Sequence, residues 1–284
     1  MVNDEFENYY QKLYGVRWEH LRKSLCEERP SYSFSQGLIA PYFLDYASVL
    51  AANSLRLPDV PPAPAMPPNA PPAPAMPPDA PTVPPEKSFT VLDSCAAPGG
   101  KSLVIASRLA PGGLLLSNEF SSERRRRLAD TLDKHLAAQK RKQVRVCGFD
   151  AAAQGRRKSE HGRYAAILVD APCSSEAHVL KDERALKAWT TARPRFLAGR
   201  QWALLSSAFL LLASGGSLVY ATCAITQEEN DGVAGRLLKK YGAQVELDPP
   251  DFSEGEKTQF GRIILPDSCR LGPLYVARFR KAAR

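Results

Sequence analysis

The 284-residue chain has no CxxC pair: its six cysteines (Cys26, Cys95, Cys147, Cys173, Cys223 and Cys269) are scattered. That spacing argues against zinc, so no metal site is expected. A chain of this length buries enough apolar surface to fold without a disulfide framework. Free thiols in a reducing compartment, and with them a cytoplasmic location, are the expectation. No apolar run reaches the ~18 residues that a membrane span needs. The acidic, aromatic opening MVNDEFENYY resembles neither a signal nor a transit peptide. The Pro-Gly-Gly loop at 98–100 is neither a GxxxxGK[ST] phosphate loop nor a GxGxxG dinucleotide fingerprint.

Proline and positive charge are what the chain has in quantity. Net charge is +8, and residues 1–58 hold 6 Lys/Arg against 7 Asp/Glu while 59–284 hold 32 against 23. The basic excess therefore belongs to the larger part, which suits a polyanionic partner. PPAPAMPPNA (61–70) is followed by PPAPAMPPDA (71–80). Proline at this density excludes helix and sheet and favours polyproline II, so 58–86 reads as a semi-rigid linker or tolerated insert.

Residues 1–57 read as a helical N-terminal extension. Residues 4–28 have apolar groups at helical spacing, with Gly15 separating two short helices. Residues 31–36 read as extended, and 41–55 as helical again. From 87 to 284 strand and helix patterns alternate. Strands are expected at 89–94, 113–119, 143–150, 164–170, 216–222, 244–248 and 273–279, and helices at 101–110, 121–138, 197–213 and 226–241. Repeated βα units imply an α/β fold: a mostly parallel seven-stranded sheet with helices on both faces. Ligands of such sheets bind outside the carboxyl ends of the strands.

The distinctive residues fall at those ends. FTVLDSCAAPGGKS (89–102) reads as strand, tight turn and helix, with Gly99 and Gly100 permitting a sharp bend and a close ligand approach. The second strand ends at Glu119, which suits the two ribose hydroxyls of a nucleoside cofactor, or a helix N-terminus. The third ends at Asp150, an acceptor for an exocyclic amine or the cap of a following helix. The fourth delivers Asp170 and Cys173, the fifth Thr222 and Cys223. If these two strands are neighbours, both thiols face one crevice.

CAAPGGK, DAPCS and TC, in this order, resemble the Sun-type (Fmu-like, RsmB/NOP) RNA cytosine-5 methyltransferases over 89–281. Glu119, Ser121, Arg124 and Leu128 match an acid-x-Ser-x-x-Arg-x-x-x-Leu element of that family. PYFLDYASVL (41–50) resembles its pre-core helix, and YGVRWEHLRKSL with GPLYV resembles its mitochondrial ribosomal-RNA branch and bacterial relatives. The resemblance implies a Rossmann-like class I methyltransferase fold and S-adenosyl-L-methionine as cofactor. It assigns Cys95, Ala96, Ala97, Pro98, Gly99, Gly100 and Lys101 to the cofactor loop. Glu119 goes to the ribose, Asp150 to the adenine and Arg124 to the adenosine end; Asp170 serves both cofactor and target base. Cys223 is implied as the nucleophile and Cys173 as the residue assisting release. Lys101 either lowers a thiol pKa, contacts the cofactor or sits in solvent.

The chain departs from the family after Cys173, where the usual Ser-Gly-x-Gly is Ser174-Ser175-Glu176-Ala177. His178 reads as a surface or pocket-wall residue. Arg141, Lys142, Arg145, Arg156, Arg157, Lys158, Arg278, Arg280 and Lys281 are candidates for phosphate contacts, which position RNA without reading it. Trp189 and Tyr220 are candidate pocket walls, whereas Trp202 reads as core. The expected partner is RNA, small-subunit rRNA above all. The protein is expected to be a monomer, helped in target choice by an accessory protein or the ribosomal subunit. A methyltransferase acting directly on nitrogen or oxygen, and an RNA-binding assembly factor without turnover, stay open as alternatives.

Overall fold

The computed structural model describes residues 3–58 and 88–283. The proline-rich repeat lies outside the described residues. A small antiparallel pair, β1 (Tyr32–Phe34) and β2 (Tyr42–Leu44), precedes the main sheet. The main sheet contains β3 (Phe89–Asp93), β4 (Gly113–Asn118), β5 (Val144–Cys147), β6 (Tyr164–Asp170), β7 (Leu212–Thr222), β8 (Val245–Leu247), β9 (Glu256–Lys257), β10 (Arg262–Ile264) and β11 (Leu274–Lys281). Its order is β5-β4-β3-β6-β7-β11-β10-β9, with β8 paired to β11. The run from β5 to β7 is parallel. β11 enters antiparallel to β7, and β8 and β10 pair with it antiparallel.

The described sheet has nine strands rather than seven. β9 and β10, at two and three residues, are too short to give an alternating signal. Helix bounds also differ. The helix Ala192–Leu211 starts ahead of the expected 197 because Pro194 stands in its first turn, where no amide hydrogen is needed. Residues 212–213 are strand. The helix Asp231–Tyr241 starts late because Glu229 and Asn230 are turned into the protein. Residues 42–44 form β2, and the helix Tyr46–Asn53 then begins with Asp45 as its cap.

Successive strand residues face opposite sides, and both sides are covered. Val91, Leu168 and Val219 join one apolar cluster with the helices Tyr46–Asn53, Gly100–Arg108 and Ser122–His135. Leu92, Val169 and Leu218 join another with Leu205, Phe209, Val233 and Leu237. A third cluster packs Phe6, Tyr10 and Trp18 of the N-terminal helices against Val179, Leu186 and Trp189. Trp189 therefore belongs to this cluster, 1% exposed, and does not wall a pocket. Tyr220 is equally buried, its hydroxyl donating to the Glu229 carbonyl at 2.5 Å. Trp202 packs on the second cluster, with the Arg236 guanidinium 4.7 Å from its ring centre.

Candidate active site

The strand order reverses between β3 and β6, which opens a crevice at their carboxyl ends. A cavity of ≈ 570 Å³ lies there, lined by Cys95, Lys101, Asp170, Cys173 and Cys223. The first 58 residues contribute Arg29, Asp45, Ala47 and Ser48 to the same wall. A second cavity, ≈ 610 Å³, lies at the opposite end of β7, lined by Arg56, Gly216 and Arg280. It holds no thiol.

β6 and β7 are neighbours in register Asp170↔Ala221, and the Ala171 amide donates to the Ala221 carbonyl at 2.9 Å. Both thiols therefore enter one crevice, with Cys173 Sγ 2.7 Å from Cys223 Sγ. The Cys173 hydrogen bond draws the Cys223 thiol below its usual pKa against the opposing effect of burial, and the Ser175 hydroxyl adds to the lowering. The same bond, then burial, pushes Cys173 well up. Of the two, Cys223 is therefore the more acidic thiol. The Cys223 turn is fixed by Asn230, which accepts from Thr222 Oγ1 at 2.6 Å and donates to the Ala224 carbonyl at 2.9 Å.

Lys101 is not a solvent lysine. Its Nζ lies 2.7 Å from Asp170 Oδ2 and 3.3 Å from Ser48 Oγ. Burial draws the ammonium pKa down, but Asp170 outweighs it and the net shift is upward. Cys95 lines the cavity yet is held as a thiol, pushed by burial to about 12. Asp93, which the sequence reading did not assign, is fully buried. Its Oδ2 accepts from Ser102 at 2.7 Å and its Oδ1 has no partner. Burial pushes this carboxyl to about 7. Asp93, Cys95, Lys101 and Asp170 line a small adjoining cavity of ≈ 90 Å³.

The loop Cys95–Lys101 contributes Cys95, Ala97 and Lys101 to the large cavity and Ala96, Pro98 and Gly100 to the small one. Its glycines serve the protein's own packing. Gly99 has φ +120, and a Cβ there would meet Thr131 Cγ2 at 3.0 Å; one on Gly100 would meet Tyr42 Cε1 at 2.9 Å. Glu119 is buried, accepts from the Ser121 amide at 2.9 Å and lies 3.4 Å from Arg124 Nη2. Arg124 also donates to the Ala97 carbonyl at 3.2 Å, so it ties Glu119 to the loop. Phe120, beside Glu119, is 70% exposed. Asp150 stands apart from these: it is exposed and caps the helix Ala151–Gln154 through the amides of Ala152 and Ala153.

Ser175 has φ +55, a conformation that favours glycine. The departure from Ser-Gly-x-Gly thus places a side chain where the backbone prefers none. His178 is exposed on the cavity wall beside Lys181. Three of the candidate phosphate ligands are otherwise engaged. Arg278 is fully buried and bound to Asp248 and Asp251. Arg141 pairs with Asp133 at 2.6 Å and donates to the Val144 carbonyl. Lys281 donates to the carbonyls of Phe209 and Leu212. Lys142, Arg145, Arg156, Arg157, Lys158 and Arg280 are exposed.

The chain is similar to several known proteins. Ribosomal RNA small subunit methyltransferase F of Aeromonas salmonicida (strain A449) is 40% identical over 158 residues, 56% of this chain and 32% of that protein. The protein of the same name from Enterobacter sp. (strain 638) is 36% identical over 198 residues, 68% of this chain and 40% of that one. The chain therefore spans less than half the length of these relatives. The fold matches a methyltransferase homolog protein from Pyrococcus horikoshii, with TM-score 0.68, 20% identity and coverage of 96% and 93%. It also matches NSun6 from Pyrococcus horikoshii with SFG, with TM-score 0.62, 21% identity and coverage of 88% and 55%. The profile of the 16S rRNA methyltransferase RsmB/F family matches residues 80–280, the segment that holds the CAAPGGK loop and both cysteine-bearing strand ends, and the chain belongs to that family.

Proposed function

We propose that this protein is an S-adenosyl-L-methionine-dependent methyltransferase that forms 5-methylcytosine in RNA, with small-subunit rRNA as substrate. The observation that carries this reading is the Cys173–Cys223 pair, 2.7 Å apart at the strand ends beside the Lys101–Asp170 ion pair. Its relatives are named as rRNA small subunit methyltransferases.

The residues present suit the cofactor. Asp93 Oδ1 is a buried acceptor without a partner at the floor of the crevice, where a polar ligand group removes the cost of an unmade bond. Glu119 offers a carboxylate to the ribose, and exposed Phe120 offers a flat apolar face beside it. Asp150 uses Oδ1 alone as a helix cap, and because the residue is exposed its Oδ2 offers the adenine amine only a solvent-screened contact. When bound, S-adenosyl-L-methionine supplies a methyl group on a sulfonium as electrophile.

The chain's own residues then account for the rest. Cytosine C5 is a poor nucleophile until a thiolate adds at C6. Cys223 is that thiolate, and Asp170 accepts a hydrogen bond from the base protonated near N3, which offsets charge during the addition. Release passes the C5 proton to solvent water, the C5–H electrons re-form the C5=C6 bond, and the electrons of the C6–S bond return to Cys223. Cys173, held protonated, donates its hydrogen bond to the departing sulfur. The target base must be unstacked to reach the pair, and Arg29, Lys181 and His178 around the cavity offer donors for its phosphates.

On this reading 87–284 is the methyltransferase domain and 1–57 an extension that completes its wall. The chain acts as a monomer in the cytoplasm, with target choice aided by an accessory protein or the ribosomal subunit. Among the described residues no helix is long and apolar enough to cross a membrane. Tritium release from RNA labelled at cytosine C5 tests the activity. Release is expected with rRNA, and none with any cellular RNA, from folded protein that binds the cofactor, would refute it.

A further inference from the structure

Directly behind the two thiols lies a buried carboxylate pair that the chemistry above leaves unused. Glu176 follows Cys173 on one loop and Glu229 follows Cys223 on the other, and both are fully buried. Their hydrogen bonds cross between the loops. The Ser174 amide donates to Glu229 Oε2 at 3.0 Å, and the Ile225 amide donates to Glu176 Oε2 at 3.2 Å. Gln201 Nε2 bridges the Pro172 carbonyl at 3.0 Å and Glu229 Oε2 at 2.7 Å. The Ser174 hydroxyl lies between the carboxylates, 2.5 Å from Glu176 Oε1 and also bonded to Glu229 Oε1. Tyr10, on the N-terminal helix Asp4–Tyr14, donates to Glu176 Oε1 at 2.6 Å.

Counting protons assigns the charges. A serine hydroxyl has one hydrogen to give, yet two carboxyl oxygens flank it. One carboxyl must therefore donate to Ser174. Glu176 accepts on both oxygens, from Tyr10 and Ile225. Glu229 Oε2 accepts two N–H groups, and besides Ser174 its Oε1 has only the Thr226 hydroxyl at 3.2 Å. The shorter 2.6 Å Tyr10 bond marks Glu176 as the charged acceptor, so the proton falls on Glu229 Oε1. The chain of donors runs from Glu229 to Ser174 to Glu176. Two like charges this close and this buried do not both ionise. Burial pushes Glu176 up and takes Glu229 to about 7. The other titratable groups facing the pair are Tyr9, Tyr10, Tyr14 and Tyr220 and the two thiols.

We propose that protonated Glu229, Ser174 and Glu176 form a clamp that positions Cys173 against Cys223 and anchors that pairing, through Tyr10, to the N-terminal helix. This rests on the reading of the two thiols as the reacting pair. With the clamp closed, Cys173 stays within reach of Cys223 and keeps it ionised. Ionisation of Glu229 breaks the donor chain and sets a second negative charge behind the thiolate.

The test is alkylation of Cys223 by iodoacetamide in the full-length, RNA-free protein, followed by peptide mass spectrometry across about pH 5–10. Glu229→Gln reproduces the protonated acid and is expected to keep the wild-type midpoint. Ser174→Ala and Glu229→Ala are expected to raise the midpoint by about one pH unit, roughly tenfold less thiolate at a fixed pH. Should Glu229→Ala fail to fold, Ser174→Ala, which removes one hydroxyl, decides the matter. A midpoint raised as far in Glu229→Gln as in Ser174→Ala overturns the assigned proton. An unchanged midpoint in Ser174→Ala overturns the positioning role. No methyl transfer is read, so failure of the proposed activity is seen separately, in tritium release.

Discussion

Arg278→Met separates a structural arginine from an RNA ligand. The Arg278 side chain has no exposed surface and every nitrogen is used. Nε donates to the Asp248 carbonyl at 3.1 Å, and Nη1 donates to the Ser54 carbonyl at 3.0 Å and Asp251 Oδ2 at 2.7 Å. Nη2 reaches Asp248 Oδ1 at 3.1 Å, Asp251 Oδ1 at 3.0 Å and the Pro249 carbonyl. One guanidinium thus joins β11, the 248–251 turn and the end of the helix Tyr46–Asn53. Breaking a buried ion pair on one side costs roughly 3–5 kcal/mol. Asp248 and Asp251 are 24% and 44% exposed and recover some solvation, so the lower end, about 3 kcal/mol, is expected. In a chain of this size that lowers Tm by roughly 5 °C. Calorimetry reads the stability, and RNA affinity measured against salt reads the phosphate contacts. The salt slope should stay at the wild-type value. A slope reduced by about one with Tm unchanged would place Arg278 on a phosphate and refute the reasoning.

Three further outcomes follow from the same geometry. The Glu229 carboxyl is raised from 4.5 to about 7, so its contribution is complete below pH ~4.5 and is lost as pH rises through ~7. Wild-type Tm should fall relative to Glu229→Gln across that window; parallel Tm curves would contradict it. Ser175→Gly relieves a left-handed residue and should stabilise by about 0.5–1 kcal/mol, while raising the Cys223 alkylation midpoint through loss of the hydroxyl. A lower Tm would contradict it. In equilibrium dialysis with S-adenosyl-L-methionine, Glu119→Ala should bind about 100-fold more weakly, as loss of two hydrogen bonds to a charged acceptor implies. Asp150→Ala should bind within about threefold of wild type and lose only about 1 kcal/mol of stability as a removed cap. Equal losses in the two would restore Asp150 to the adenine.

Much of the site was readable because it is local. FTVLD and YAAILVD are apolar runs that end in a carboxylate and a Gly or Pro turn, and parallel strands bring such ends together. The adjacency of Asp170–Cys173 and Thr222–Cys223 was conditional on strand order, which β6 beside β7 supplies. What escaped depends on contacts distant in sequence. Glu229 sits in TQEEN, a polar run that reads as a solvated helix start. Its burial needs Gln201 from one helix and Ser174 from another loop. Arg278 and Arg280 share the alternation of a strand edge, but the 248–251 turn and Ser54 cover only Arg278. Asp93 resembles any strand-terminal acid until its unpartnered oxygen is placed over the crevice.

The central claim is that Cys223 bonds to the target base while Cys173 serves release. It is tested most directly by incubating each single variant with substrate RNA and S-adenosyl-L-methionine and resolving the products on a denaturing gel. Cys173→Ala should accumulate a covalent protein–RNA adduct, and Cys223→Ala should form none. Adduct in Cys223→Ala but not in Cys173→Ala would exchange the two roles, and full methylation by Cys223→Ala would contradict the covalent chemistry altogether.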